Sequence, residues 1–551
     1  MNPVELTEEF LLSIRKPARY IGEEHNIIKK QWDKTSVKFC LCFPDLYEIG
    51  MSNLGLKILY HILNKNDNVL CERSFTPWLD MEEAMVKNDI PLFSLESKMP
   101  LTEFDILGFS LSYELTYTNV LTMLSLAKIP FKCQDRKNSN YPLIISGGPS
   151  ACNPEPIADF IDLFLIGDGE EAISDIIDTY TRYRSDRNIL LDEMKKIEGV
   201  YVPSRHNGNE RIKRRKISVL KKEDFPVSPI VPYVQTVHDR ITLEVMRGCP
   251  HKCHFCQAKS LYHPVRIRDK EDVLELAKES YKNTGLDDLS LLSLSSSNYP
   301  GIENLIKDLT EIFLPVGVGI SLPSLRVEDN LENLPTLISV IKKSSLTFAP
   351  EVGTERMLKV INKKIAHDTL FKVLRHAYKN GWRRIKLYFM IGLPKEQEND
   401  IEAIVNLADS IALLKKEVSG GPAEIIVNVS SFIPKPHTYF EREKMASADE
   451  LKAKQALILS KARSKRYLKI KFHDIETSIL EALFSRGDRG VSKVLLDAWN
   501  QGARFDAWSE SFNPKIWDEA ITRCGLDRES YLGEKDKKES LPWSYLECHE
   551  N

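Results

Sequence analysis

Twice along this chain, short apolar runs that stop near Gly, Pro or Asp alternate with segments whose apolar residues recur every three or four positions. Strands that alternate with helices pair in parallel, because a crossover helix carries the chain back to start the next strand in the same direction. Such sheets bind ligands beyond the carboxyl ends of their strands. The first series occupies 36–185, with strand patterns at 37–42, 105–110, 143–146 and 162–166 and helical patterns at 54–63 and 116–127. The second lies within 240–440, with strand patterns at 242–246, 289–294, 316–321, 345–349, 384–391 and 425–430. Helical patterns at 273–281, 302–313, 331–342 and 370–380 separate these strands. Six strand–helix units predict a partial (β/α)6 barrel, since a full eight-unit barrel takes about 250 residues. The expected fold class is α/β: a parallel-sheet domain, then the partial barrel. Around them are a helical lead over 1–35, a basic linker over 186–239 and a mainly helical extension over 441–551.

Charge and cysteine usage narrow the setting. With 76 Lys+Arg against 79 Asp+Glu, the chain gives no electrostatic case for nucleic acid as a partner. It has no run of about eighteen apolar residues, so no spanning helix is expected. The N-terminus offers only Phe10-Leu11-Leu12 amid Glu5, Glu8 and Glu9, which fits neither a secretory nor a transit peptide. Ten cysteines, scattered but for one group, suit a reducing compartment better than a disulfide framework. The expectation is a cytoplasmic protein without a membrane partner. The run containing Arg205, Arg211, Lys213, Arg214, Arg215 and Lys216 admits a polyanion-contact hairpin, but a solvated linker is the commoner origin of such a run.

The chemistry concentrates in Arg247-Gly248-Cys249-Pro250-His251-Lys252-Cys253-His254-Phe255-Cys256. Cys249, Cys253 and Cys256 have C-x3-C-x2-C spacing on the loop leaving the first barrel strand, where barrel active sites sit. Three thiolates this close can hold an iron–sulfur cluster and leave one iron open, whereas a cluster that only carries electrons is usually closed by four cysteines. A zinc site completed by His251 or His254 is the alternative, although no second CxxC or CxxH pair lies nearby to complete a finger. Three unrelated buried cysteines are the remaining reading.

This motif, with Phe255 before the last cysteine, resembles the radical S-adenosylmethionine (SAM) superfamily. The resemblance implies a [4Fe–4S] cluster on Cys249, Cys253 and Cys256 whose open iron is chelated by SAM. A one-electron donor such as a flavodoxin or ferredoxin would reduce that cluster. Reductive cleavage of SAM then yields a 5′-deoxyadenosyl radical that abstracts hydrogen from a substrate. Phe255 would lie near the adenine. Further SAM contacts would come from Ser295 after the second strand and from Ser321, Ser324 and Arg326 after the third. Glu351 and Arg356 would contribute after the fourth strand, and Ile391 and Gly392 at the end of the fifth. The family often has a Gly-Gly-Glu-type segment after the second strand; Ser293-Leu294-Ser295-Ser296-Ser297 replaces it here.

The first domain resembles the flavodoxin-like cobalamin-binding module that precedes many radical SAM barrels. Asp45-Leu46-Tyr47-Glu48-Ile49-Gly50 stands where that module has D-x-H-x-x-G, with tyrosine in place of the ligating histidine. Ser110-Leu111-Ser112 would be the serine loop and Gly147-Gly148 the glycine pair that admits a nucleotide tail. Gly167-Asp168-Gly169-Glu170-Glu171 resembles another loop of the module. A degenerate flavodoxin-like domain used for packing or substrate docking is the alternative. Pro44–Gly55 and the Phe432-Ile433-Pro434-Lys435-Pro436-His437-Thr438 segment resemble an uncharacterised family of radical SAM proteins with such a domain. The implied activity is radical chemistry begun by SAM cleavage, with cobalamin-dependent methylation of an unknown substrate as one form. A methylthiotransferase would need a second set of three cysteines, which Cys40, Cys42, Cys71, Cys133 and Cys152 do not make. The reading from another class is a non-catalytic iron–sulfur or zinc scaffold for a macromolecular partner.

Overall fold

The computed structural model describes residues 2–137, 141–208, 210–321, 346–365 and 367–548. Six strands form the first sheet: β1 (Val37–Phe43), β2 (Val69–Phe75), β3 (Ile106–Ser110), β4 (Leu143–Gly147), β5 (Leu163–Leu165) and β6 (Val200–Tyr201). Their order is β2-β1-β3-β4-β5-β6, with β1 to β5 parallel and β6 antiparallel at the edge. This is the flavodoxin-like order, and its topological switch lies between β1 and β3. β2 escapes a hydrophobicity scan because its Val-Leu-Cys-Glu-Arg-Ser-Phe sequence buries charge. Arg73 is 1% exposed and pairs with Glu24 at 3.0 Å, while Glu96 holds its Nε at 2.6 Å.

Both faces of this sheet are covered. Helices Leu54–Lys65 and Ala172–Tyr183 close one, burying Leu56, Leu63, Ile173 and Ile176 against Phe39, Leu41 and Ile145. The other is covered by helix Tyr117–Leu126 together with helices from the far end of the chain. Leu480, Leu483 and Phe484 of Ile475–Arg486 join that core, as do Val494 of Val491–Asn500 and Trp517 of Pro514–Arg523, against Leu107, Phe109, Ile144 and Phe164. A short parallel ladder between β7 (Ile212–Lys213) and β17 (Leu546–Glu547) ties the end of the chain to the basic run.

The second series builds two parallel arcs. β8 (Ile241–Glu244), β11 (Asp288–Leu292) and β12 (Gly319–Ser321) form one, in the order β12-β11-β8. β13 (Leu346–Glu351), β14 (Arg384–Ile391), β15 (Glu424–Ser431) and β16 (Leu468–Phe472) form the other. One buried cluster runs from Ile241, Leu289 and Ile320 through Leu346, Ile385 and Ile425 to Leu468, so both arcs share a core. This is the partial barrel, with the six expected strands and β16 as a seventh, from the segment expected to be mainly helical. The helical pattern at 331–342 lies outside the described residues. No helix among the described residues is long and apolar enough to cross a membrane.

Candidate cofactor site

The cysteine loop leaves the barrel through β9 (Met246–Arg247), which pairs antiparallel with β10 (Arg266–Ile267). Gly248 turns it with φ +96°; a Cβ there would stand 2.6 Å from the Tyr262 carbonyl oxygen, so glycine is required. The loop is pinned from the opposite arc: the His254 amide donates to the Ile361 carbonyl at 2.9 Å, and Asn362 Nδ2 donates to the Lys252 carbonyl at 2.8 Å. Phe255 and Met390 pack against Val352, Met357, Leu393, Phe432 and Phe440, bringing the fifth-strand end to the loop. Cys249, Cys253 and Cys256 are partly exposed. Burial pushes the Cys256 thiol up to about 11; the Cys253 and Cys249 thiols and Glu351 push the same way, against a lowering hydrogen bond from the Ala258 amide. Thiolates this close disfavour one another, and binding iron relieves that cost.

Each motif histidine has one ring nitrogen engaged by the protein. His251 Nε2 lies 2.9 Å from Asn298 Oδ1, and His254 Nδ1 lies 2.8 Å from the Val360 carbonyl. Among the described residues no group of three or more Cys, His, Asp or Glu converges as ligands of a single metal ion would. Thiolates of a cluster bind different irons and stand farther apart.

The remaining expected SAM contacts fall in different places. Ser295 is 1% exposed and donates to Asn298 Oδ1 at 2.7 Å. Ser321 is level with Ser290, two residues short of the β11 end, and donates to the Leu289 carbonyl at 3.4 Å. Ser324 and Arg326 lie outside the described residues. Glu351, at φ +69° on a bulge in β13, pairs with Lys363 at 2.7 Å. Arg356 pairs with Asp400, which also accepts from Thr354 Oγ1 at 2.6 Å, so its guanidinium is held at a helix start. Ile391 is buried, and the Gly392 amide donates to Glu396 Oε2 at 2.8 Å.

Beyond the carboxyl ends of β1, β3 and β4 lies a cavity of about 410 Å³. Ser110 and Gly147, which are register partners, line it with Gly148, Asn53, Ser112, Gly167 and Gly169. Leu41, Ile58, Ile145, Ile173 and Ile176 give it an apolar floor. Its other wall comes from the barrel: Glu244, Arg247, Tyr262 and Leu292. Asp45, Tyr47 and Gly50 do not line it. Asp45 accepts from Trp508 Nε1 at 2.9 Å, Tyr47 donates to Glu24 at 2.8 Å, and a Cβ on Gly50 would stand 2.2 Å from Phe75. The D-x-Y-x-x-G segment therefore faces the interior, and no histidine lines the cavity among the described residues.

Arg247 joins the two walls. It pairs with Glu244 at 2.8 Å, with Asp168 at 3.0 Å and with Glu170 at 2.6 Å. Burial opposes its charge, but the bonds and charge of Glu244 and then Glu170 outweigh burial and raise its pKa. Asp168 also accepts from Arg266 Nη2 at 2.8 Å and from the Ile217 amide at 3.1 Å. Arg247 abuts the cysteine motif in sequence; its partners are invisible there because the loop that supplies Asp168 and Glu170 lies about eighty residues earlier.

Fold and loop together define a class, an α/β barrel protein with a three-cysteine loop under a flavodoxin-like domain. Residues 55–203 match the family described as "Radical SAM proteins, N-terminal", and 243–408 match the "Radical SAM superfamily". The chain belongs to the radical SAM superfamily and is a radical SAM enzyme, which decides against zinc and against a non-catalytic scaffold. That superfamily works with a [4Fe–4S] cluster and SAM. "Uncharacterized protein MJ0966" of Methanocaldococcus jannaschii is 29% identical over 456 residues, covering 83% of this chain and 90% of that protein. "Ribosomal protein uS12 methylthiotransferase RimO" of Pelotomaculum thermopropionicum is 21% identical over 174 residues, 30% of this chain and 38% of that one. Among solved structures, the radical SAM methyltransferase TsrM from Kitasatospora setae, with cobalamin and a [4Fe–4S] cluster bound, has a TM-score of 0.55. It is 10% identical, with 89% of this chain and 100% of that one covered. The cobalamin-dependent SAM radical enzyme OxsB, with aqua-cobalamin and SAM bound, has a TM-score of 0.53 at 15% identity, with 90% and 71% covered.

Proposed function

We propose that this enzyme holds its cluster on Cys249, Cys253 and Cys256, binds cobalamin in the cavity above the first sheet, and methylates an unactivated carbon of its substrate. The observation that carries the reading is that one cavity is walled on one side by Ser110, Gly147 and Gly148 and on the other by Arg247, two residues before Cys249. The cavity fits a corrinoid's nucleotide end chemically. Its floor is apolar enough for a planar base, and Gly147 keeps space open: a Cβ there would meet nothing closer than the Leu165 carbonyl at 3.5 Å. Asn53, Ser110 and Ser112 supply hydrogen-bonding groups at its rim. Among the described residues no histidine lines the cavity, and Tyr47 is committed to Glu24. TsrM and OxsB share the fold and bind cobalamin, which supports the same reading.

When bound, the cluster with SAM supplies a 5′-deoxyadenosyl radical and cobalamin a transferable methyl group. The chain's own contribution is placement. Phe255 and Met390 form an apolar shelf beside the loop, and the charge of Glu351, itself paired with Lys363, reaches the Cys256 thiol. Asp168, Glu170 and Glu244 fix Arg247 and hence the spacing between loop and cavity.

Anaerobic reconstitution with iron and sulfide, then dithionite, SAM and methylcobalamin, tests this. Retained corrinoid absorbance after desalting, with 5′-deoxyadenosine above a Cys253→Ala control and cobalamin-dependent S-adenosylhomocysteine, is the expected result. Deoxyadenosine without corrinoid retention would leave a radical SAM enzyme and sink the cobalamin assignment. Cluster and product retained in Cys253→Ala would sink the ligand assignment.

A further inference from the structure

The inner face of the barrel carries charge that neither cofactor site uses. On β14 and β15 alternate residues pack outward: Ile385, Leu387, Val427 and Val429 are buried with Ala408 and Ile411 of helix Glu398–Ser419. The two-residue period of a strand turns the others to the opposite face, toward the barrel interior. Tyr388, Asn428 and Lys471 stand in one row there, since Tyr388 is level with Asn428 and Asn428 with Lys471. Lys386 and Lys469 flank Ile426 in the row below. In the row above Tyr388 is Met390, which joins Phe255 of the cysteine loop against one apolar cluster.

A barrel interior is ordinarily filled by layers of branched apolar side chains. Here the middle row is polar and open: Tyr388 is 45% exposed, Lys471 is exposed, and Asn428 is half-buried. Neither Lys386 nor Lys471 makes a hydrogen bond or ion pair with a described residue. The acids of the same face are already committed. Glu424 pairs with Arg384 at 2.9 Å and with Lys469, and Glu351, at the rim, pairs with Lys363 at 2.7 Å. Beyond β16, His473 Nδ1 lies 3.0 Å from Ser478 Oγ and Asp474 caps the next helix. On the facing arc Glu244 pairs with Arg247, and Asp288, at the amino end of β11, is also engaged. Lys386 and Lys471 are therefore two uncompensated positive charges on the inner face.

We propose that the substrate is a small acidic molecule whose carboxylate or phosphate is held by Lys386, Lys471 and the Asn428 amide, with its neighbouring atoms against the Tyr388 ring. The row spans about 10 Å across three strands, and the long lysine stems let both ammoniums converge over Asn428. Two cations and an amide donor suit an anion and repel a cation. Two residues along a strand cover about 7 Å, so an anion on this row leaves the rest of the molecule pointing toward Met390 and the cysteine loop. The proposal names the substrate class for the radical reading of that loop and rests on it for what happens to the bound molecule. Anion binding itself needs neither cluster nor cobalamin.

The test is saturation-transfer NMR and calorimetry on the reconstituted full chain at fixed ionic strength, with benzoate, phenyl phosphate and the cation benzamidine as probes. At least one anion should bind, and benzamidine at least about tenfold more weakly. Lys386→Gln/Lys471→Gln should weaken the anion at least about tenfold, because two charge-assisted hydrogen bonds are lost. Lys386→Arg/Lys471→Arg should hold it within about threefold, since the charge is kept. Tyr388→Ala should weaken it severalfold. The tighter of the two anions tells carboxylate from phosphate. Unchanged affinity in the glutamine double variant puts the anion elsewhere and overturns the proposal. Benzamidine binding as tightly as the anions overturns it too, as does a protein that binds neither anion. A chain that holds no cluster yet loses its anion only in the glutamine double variant supports the anion site and overturns the cysteine ligation instead.

Discussion

Replacing Asp168 by asparagine keeps the shape of the side chain and removes one negative charge from the joint between cavity and cysteine loop. Asp168 and Arg266 are 5% and 2% exposed in their side chains, with oxygen and nitrogen 2.8 Å apart. At an effective dielectric near 20, that separation corresponds to about 6 kcal/mol of attraction. Burial already pulls the Arg266 pKa down, and Asp168 is the largest opposing influence. The Tyr262 and Pro264 carbonyls remain as acceptors for Arg266 in the variant, but neither carries charge. Breaking one side of a buried pair costs about 3–5 kcal/mol, and Asp168→Asn should fall in that range.

Glu170→Gln is the control. Its loss leaves Arg247 paired with Glu244 and Asp168, so one charged hydrogen bond goes, worth about 1.5–3 kcal/mol. Anaerobic urea titration followed by tryptophan fluorescence should give a midpoint drop for Asp168→Asn clearly larger than for Glu170→Gln. Bound iron after desalting should follow the same order, because Arg247 and Arg266 hold the two short strands that carry the loop. Equal midpoints, or a larger drop for Glu170→Gln, would refute the argument that Arg266 depends on Asp168.

Other expectations concern the cavity and acid–base behaviour. Gly147→Ala adds a methyl that meets the protein only at 3.5 Å or beyond, so melting temperature should stay put, with a cost within about 0.5 kcal/mol, while corrinoid retention falls severalfold. Gly148→Ala should instead destabilise by about 1–3 kcal/mol, because φ is +111° and the new Cβ would lie 2.6 Å from the Leu111 carbonyl oxygen. Burial pushes the Asp506 carboxyl up to about 6 against hydrogen bonds from Thr118 and Trp517. The native state therefore holds that proton more tightly than the unfolded one, and this residue's contribution to stability falls as pH rises from about 4 to about 6. Melting curves of wild type and Asp506→Asn across that window should differ by a slope of this sign; parallel curves would remove Asp506 as its source.

Much of the strand and helix plan is legible in the sequence because apolar periodicity follows from which side of an element is buried. The patterns at 302–313 and 384–391 coincide with a helix and a strand of the structure. β2 is hidden because its buried positions include Glu72, which accepts from Ser97, and Arg73, which Glu24 and Glu96 neutralise. The basic run was equally misleading about exposure: Arg214 is 1% exposed and donates to the Leu261 and His263 carbonyls. Similarly, the motif position of Tyr47 suggests a cofactor contact, while its side chain turns toward Glu24 and Phe75.

The sequence alone determined the two parallel-sheet units and the cysteine loop, since periodicity and three nearby thiols are local properties of the chain. The tertiary structure decided what those units face. It closed one side of the first sheet with helices from 475 onward, and it set Asp168 and Glu170 against Arg247 to make one cavity of two domains. Those contacts join residues far apart in the chain, where neither spacing nor composition records the partner and only packing of the whole molecule selects it.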